Sequence, residues 1–201
     1  MVEITTFRKE SGYSDNRHPD AVEFVGDIAE DLRRRDFTVN SLAYNEKDGL
    51  IDLYGGLSDI KNKIVRAVGN PEERFSEDSL RILRAVRFSS KLGFSIEKQT
   101  LAAAEKLKSR LKNVSAERIF SELVKTLCGN DVFNALMNYR EIIAEIVPEI
   151  CPCFDFDQHS KWHLYDVYEH IVRSVVAIAP EPALRMLSLI HISEPTRLDV
   201  I

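Results

Sequence analysis

RFSEDSLRILRAVRF, residues 74–88, sets Arg81, Arg84 and Arg87 at every third position, behind the acidic pair Glu77 and Asp78. Ile82, Leu83, Ala85, Val86 and Phe88 lie among them. Steps of three and four return to one side of an α-helix, so the spacing predicts an amphipathic helix with a cationic face beside an apolar one. Ser76 is the expected N-cap, acids fill the first turn, and Gly93 is the expected left-handed terminator. Asp78 and Arg81 then share a face, which Arg84 and Arg87 extend with a slow drift. Taken alone, this is an ordinary exposed helix with an i,i+3 ion pair, a common and weak feature.

The flanks differ in character. Residues 2–8, VEITTFR, are β-branched and aromatic and read as a strand. The polar loop KESGYSDNRHPDA and a second short strand, VEFVG, follow. A helical pattern starts at Asp27 and runs through DIAEDLRRRDFTVNSLA. LAYNEKDGLIDLY reads as a hairpin around Lys47-Asp48-Gly49, then come a turn at Gly55-Gly56, a short helix and a strand at IVRAV. From Asn70 onward the pattern is helical, with helices expected near 97–111, 116–128 (capped by Ser115), 131–146 and 163–179. The fold class is therefore α+β, a β-containing head followed by helices.

Composition narrows the function. The 201-residue chain is 44% hydrophobic and 29% charged, ordinary for a globular protein, and its net charge of −5 excludes a generic polyanion binder. Any nucleic-acid site has to be a local basic face. Cys128, Cys151 and Cys153 lack zinc spacing, and Cys-Pro-Cys is too cramped for a disulfide, so reduced thiols in the cytoplasm are expected. No apolar run is long enough to span a bilayer.

DLRRRDFTVN, residues 31–40, is a second charged cluster. Arg34 and Arg35 at a turn suit a phosphate, which guanidinium groups grip bidentately. Asp36 and Asn40 suit a sugar hydroxyl, or orient those arginines; the plain alternative is a solvated face.

In order and spacing, RRDFTVN, DLYGG and EDSLR resemble motifs B, C and D of the class II tRNA nucleotidyltransferases, the CCA-adding enzymes and their bacterial poly(A) polymerase relatives. The likeness runs from residue 1 to about 186. The short loop SGYSDNRHPDA is more like the CCA-adding members. The resemblance implies part of a nucleotidyltransferase-fold head, a mixed sheet with helices, over 1–70. It further implies a helical neck binding RNA and nucleotide over 71–150, and the start of an HD-type helical domain over 151–186. It implies transfer of C and A from CTP and ATP to the tRNA 3′ end with Mg²⁺; no protein partner and no membrane are expected. Asp78 and Arg81 would be the protein template for the incoming base, Arg84 and Arg87 would help bind the nucleotide, and Arg34 and Arg35 would contact its sugar and triphosphate. Chemistry agrees. Cytosine and adenine present a ring-nitrogen acceptor beside an amino donor, matching an arginine that only donates and an aspartate that only accepts. Guanine and uracil present the reverse.

The family's catalytic D-x-D after a glycine turn is not found, so the chain is expected to begin after it, and no catalytic or metal-binding residue is assigned. Asp155-Phe156-Asp157 lacks the preceding strand and reads as loop polarity. In QHSKWHLYDVYEHIVRSVVAIAPEPALRM, His163, Asp166 and His170 fall on one helical face, as at the opening of an H…HD…D metal site, but Ile192 follows His191 where the aspartate belongs. LSLIHISEPTR, residues 187–197, resembles the translation of a library adapter, so 187–201 is expected to be a non-native tail. The other readings are a poly(A) polymerase or A-adding enzyme, a phosphohydrolase, and a non-catalytic RNA-binding module using Lys106, Lys108, Arg110 and Lys112 as a phosphate face.

Overall fold

The structure, a computed structural model, describes residues 6–12, 21–156 and 164–191. Strand β1 (Arg8–Ser11) pairs antiparallel with β2 (Ala21–Phe24). Of the strand expected over 2–8, Thr6 and Phe7 are not in a strand and Arg8 is, and residues 1–5 lie outside the described set.

Asp27 caps helix α1 (Ile28–Arg33), its carboxylate accepting from the Ala29 amide. The helix does not continue to residue 43 as expected. Backbone bonding is redirected at Asp36: the Thr38 amide donates to the Arg66 carbonyl, and the Val68 amide donates to the Asp36 carbonyl. Phe37 is wholly buried by this exchange. A single 3-10 turn (Thr38–Asn40) then leads into the hairpin of β3 (Leu42–Asn45) and β4 (Gly49–Asp52).

The glycine turn has two separate causes. Gly55 sits at φ 75°, a left-handed conformation that favours glycine. Gly56 opens helix α2 (Gly56–Asn62), and a Cβ there would lie 2.3 Å from the Thr38 carbonyl oxygen. Asp52 holds the turn by accepting from the Gly56 and Leu57 amides. The DLYGG segment therefore packs directly against the end of RRDFTVN.

Strand β5 (Ile64–Val65) pairs in parallel with β6 (Ser95–Ile96), a strand absent from the sequence reading. Helix α3 (Pro71–Glu77) is capped by Asn70, with Pro71 in its first turn. Ser76 is thus inside a helix and does not cap one, because the Asn-Pro start lies a turn earlier. The chain breaks at Asp78, and α4 (Leu80–Leu92) begins after Ser79. Gly93 ends α4 at φ 67°, as expected.

Helix α5 (Lys98–Leu107) passes into a 3-10 segment (Lys108–Asn113), and α6 (Ala116–Leu127) follows. The helix expected over 131–146 is two, α7 (Val132–Asn138) and α8 (Arg140–Ile146), divided at Tyr139. Tyr139 spends its side chain elsewhere, accepting the Ile96 amide on its hydroxyl. Helices α9 (Val167–Ala177) and α10 (Pro182–His191) close the described chain.

Helix α4 is central, packing along α6 and against α7. Ile82, Leu83, Ala85 and Val86 are buried in a core that also takes Phe37 and Val65 from the head. Leu189 joins that core at 2% exposure, although it falls in the stretch set aside as a tail.

Candidate nucleotide-binding site

The site forms where the turn after α1 meets the start of α4. Asp31, in the last turn of α1, is 4% exposed and lies three and four residues before Arg34 and Arg35. Its Oδ1 accepts from Arg34 Nε at 3.0 Å and from Nη2, while Oδ2 accepts from Arg35 Nη2 at 3.0 Å. Burial pushes the Asp31 carboxyl up, but the hydrogen bonds and charges of both arginines outweigh it and hold the group below its ordinary range. The arginines are thus oriented by Asp31, not by Asp36 or Asn40.

Asp36 does a different job. Its Oδ2 takes Nε and Nη2 of Arg84 at 2.8 and 2.5 Å, and its Oδ1 takes the Asn40 amide at 3.1 Å and the Phe37 backbone N–H. Asp36 and Asn40 therefore tie the turn to α4.

Asp78 and Arg81, the expected template pair, are close in sequence yet not paired in space. Asp78 lies outside the helix, at φ −139°, where its Oδ1 accepts from the Leu80 amide and its Oδ2 accepts from Arg118 of α6 at 2.9 Å. Arg81 pairs with Glu77, and also donates to the carbonyls of Arg74 and Arg34. The expected Asp78–Arg81 ion pair is replaced by Glu77–Arg81 at i,i+4. Asp78 and Arg81 are each pinned by other residues.

Arg87 leaves the group. Three residues advance a helix by about 300°, so Arg81 and Arg87 end about 120° apart. Arg87 accordingly turns to α6, with Nε 2.7 Å from Glu122, its guanidinium over the Phe88 ring, and little exposure. Burial lowers its proton affinity and the Glu122 charge opposes that shift. The structure brings Arg34, Arg35, Asp36, Asn40, Asp78, Arg81 and Arg84 together and gives Arg87 to the interior. Asp31 had a readable signal in its i,i+3 and i,i+4 spacing to the arginines. Arg118 had none, because its partner lies forty positions away.

Other expected features resolve differently. Lys106 pairs with Glu72, Lys108 with Glu141 and Lys112 with Glu145, which removes most of the phosphate face drawn through them and Arg110. Asp155 forms a two-pronged pair with Arg140 at 3.0 Å on each arm, as loop polarity implied. Asp166 caps α9 by accepting from the Glu169 amide, His170 lies within that helix, and His163 falls outside the described residues. Among the described residues no three His, Cys, Asp or Glu side chains gather as a metal site. No helix among them is long and apolar enough to cross a membrane.

Helix α4 meets the arginine-rich turn after α1 through Arg81 and Arg84. The family described as "Poly A polymerase head domain" matches residues 1–66, and that described as "Probable RNA and SrmB- binding site of polymerase A" matches 93–154. The 74–88 stretch falls between the two matches. The chain belongs to the tRNA nucleotidyltransferase and poly(A) polymerase family. It is 51% identical over 152 residues to the CCA-adding enzyme of Ligilactobacillus salivarius, covering 76% of this chain and 37% of that one. The chain therefore spans little more than a third of that relative's length. The crystal structure of the Bacillus stearothermophilus CCA-adding enzyme in complex with CTP aligns with TM-score 0.60 at 40% identity, over 70% of this chain and 32% of that one. A tRNA nucleotidyltransferase complexed with a primer tRNA and an incoming ATP analog aligns with TM-score 0.62 at 28% identity, over 82% and 50%.

Proposed function

We propose that this chain is the base-selecting part of an enzyme that adds C and A to the tRNA 3′ end from CTP and ATP with Mg²⁺. The observation that carries the reading is the contact between the two arginine motifs: Arg81 donates to the Arg34 carbonyl, and Arg84 is held by Asp36. The base-reading residue and the phosphate-reading turn form one site. At that site Asp78 accepts the exocyclic amino group and Arg81 donates to the ring nitrogen. Each Asp78 oxygen already holds one donor, but a carboxylate has about four acceptor positions, so the amino group can be added. Guanine and uracil leave both contacts frustrated, at about 1–3 kcal/mol each. Arg34 and Arg35 take the triphosphate. Arg87 and Glu122 hold the base of α4 against the neck.

Residues 1–70 act as head, 71–150 as neck and 151–186 as the opening of a further helical domain. The free thiols of Cys128, Cys151 and Cys153 support a reducing, cytoplasmic setting. CCA addition is favoured over poly(A) synthesis by the names of relatives such as the CCA-adding enzymes of Ligilactobacillus salivarius and Pediococcus pentosaceus. Pairing of the neck lysines weighs against a module that binds RNA through that face.

The test is calorimetric titration of the chain with each of the four ribonucleoside triphosphates. CTP and ATP should bind at least about tenfold more tightly than UTP and GTP, the scale of one frustrated buried contact. Equal affinity for all four overturns the reading.

A further inference from the structure

We infer that Asp31 is a positioning residue for the nucleotide's triphosphate, a role that rests on the function proposed above. Asp31 is buried in the last turn of α1. Its two oxygens are divided: Oδ1 accepts from Nε and Nη2 of Arg34, and Oδ2 accepts from Nη2 of Arg35. One carboxylate thus sets two consecutive guanidinium groups at a fixed separation. The backbone amide of Arg8 also approaches Oδ1, at 3.4 Å, so the carboxylate is tied to strand β1.

The consequence follows from what Arg35 has left. Arg35 commits only Nη2 to Asp31 and its side chain is 44% exposed, so its remaining donors face solvent. Arg34 commits one edge of its guanidinium to the carboxylate, and its carbonyl receives Arg81. The pair is anchored on the side of Asp31 and oriented beside the base-reading residue. Two adjacent cations without the shared anion would repel each other and sample many rotamers. With it, most of their conformational entropy is lost before a ligand arrives, and pre-ordered guanidinium groups bind phosphate more tightly for that reason. Asp31 also removes one unit of positive charge. Position and charge therefore pull in opposite directions, and this makes the inference testable.

The experiment titrates CTP and CMP into the wild-type chain and the Asp31→Asn and Asp31→Glu variants, with melting temperature measured alongside. Asn keeps the shape and one acceptor but loses the charge. Glu keeps the charge but moves it by a methylene. If Asp31 positions the arginines, both variants lose about tenfold in CTP affinity, the scale of one charge-assisted hydrogen bond, while CMP binding stays within about twofold. If Asp31 acts only through its charge, Asp31→Asn binds CTP more tightly than wild type, and the inference fails. It also fails if melting falls while the CTP-to-CMP affinity ratio holds, which would make Asp31 merely structural. The two readings fail separately. Loss of base preference in the wild type sinks the proposed function, whereas an unchanged CTP-to-CMP ratio in both variants sinks only this inference.

Discussion

Arg118 of α6 donates to Asp78 Oδ2 at 2.9 Å, fixing the carboxylate proposed to read the base from a helix forty positions further along the chain. The contact leaves the Leu80 amide on the other oxygen, so the carboxylate plane is set from both sides.

That relationship predicts a change in selectivity. Replacing Arg118 by Ala releases Asp78 to rotate, and the preference for CTP over UTP should fall about fivefold, equivalent to about 1 kcal/mol. Arg118→Lys restores a charge but not the planar fork, and should recover only part of the preference. Calorimetric affinities for CTP and UTP check this. A lowered melting temperature with an unchanged ratio would give Arg118 a purely structural role.

Gly56→Ala tests the contact between DLYGG and RRDFTVN. The new methyl would meet the Thr38 carbonyl oxygen, a backbone atom that cannot swing aside. The expected cost is about 1–3 kcal/mol in stability, read from urea denaturation. Gly55→Ala should also destabilise the chain, but through its left-handed backbone and without touching Thr38. The two variants should therefore differ in CTP affinity, with only Gly56→Ala lowering it.

Asp52 supplies a pH dependence. Burial raises its proton affinity, but the amides of Leu57, Gly56, Tyr54 and Gly55 together outweigh that and lower it. A carboxyl depressed in the folded state stabilises the protein above its unfolded pKa of about 3.9, and that stabilisation is lost as pH falls through the folded value. Asp52→Asn should therefore be less stable than wild type at pH 7. The gap between their melting temperatures should close below about pH 4. A gap that stays constant with pH would remove the charge from the account.

Leu189 decides the standing of the C-terminal stretch. At 2% exposure in the core, its truncation to Ala should cost about 2–3 kcal/mol in denaturant unfolding. Its neighbours Leu187 and Ile190 are largely exposed, so the same change at either should cost little. Equal, negligible effects at all three would mark 187–201 as an appendage.

What could be read from the sequence was local. The hairpin, the glycine turn, Gly93 and the apolar face of α4 each carry their signal within a few residues, where period and turn chemistry act. The break after Arg33 was invisible because its cause lies at Arg66 and Val68, thirty residues away, where the backbone of 36–38 finds its partners. Strand β6 is two residues long and exists only because β5 offers an edge. The same limit applied at the site. The spacing identified the arginines, but not which acid holds each one, and the regular three-residue step concealed that Arg87 turns inward to Glu122.

The link between head and neck has a mechanical consequence. Residues 64–68 form the middle of a three-ply strip, with Thr38 and Asp36 on one side and Ser95 and Glu97 on the other. Four backbone hydrogen bonds hold it: Thr38 to Arg66, Val68 to Asp36, Ser95 to Lys63 and Glu97 to Val65. A polypeptide laminated on both flanks is a weld and cannot serve as a pivot. Torque applied to the helices that follow would be passed through this strip to the arginine turn. The amides of Val68, Ser95 and Glu97 should accordingly exchange with solvent only when the whole chain opens.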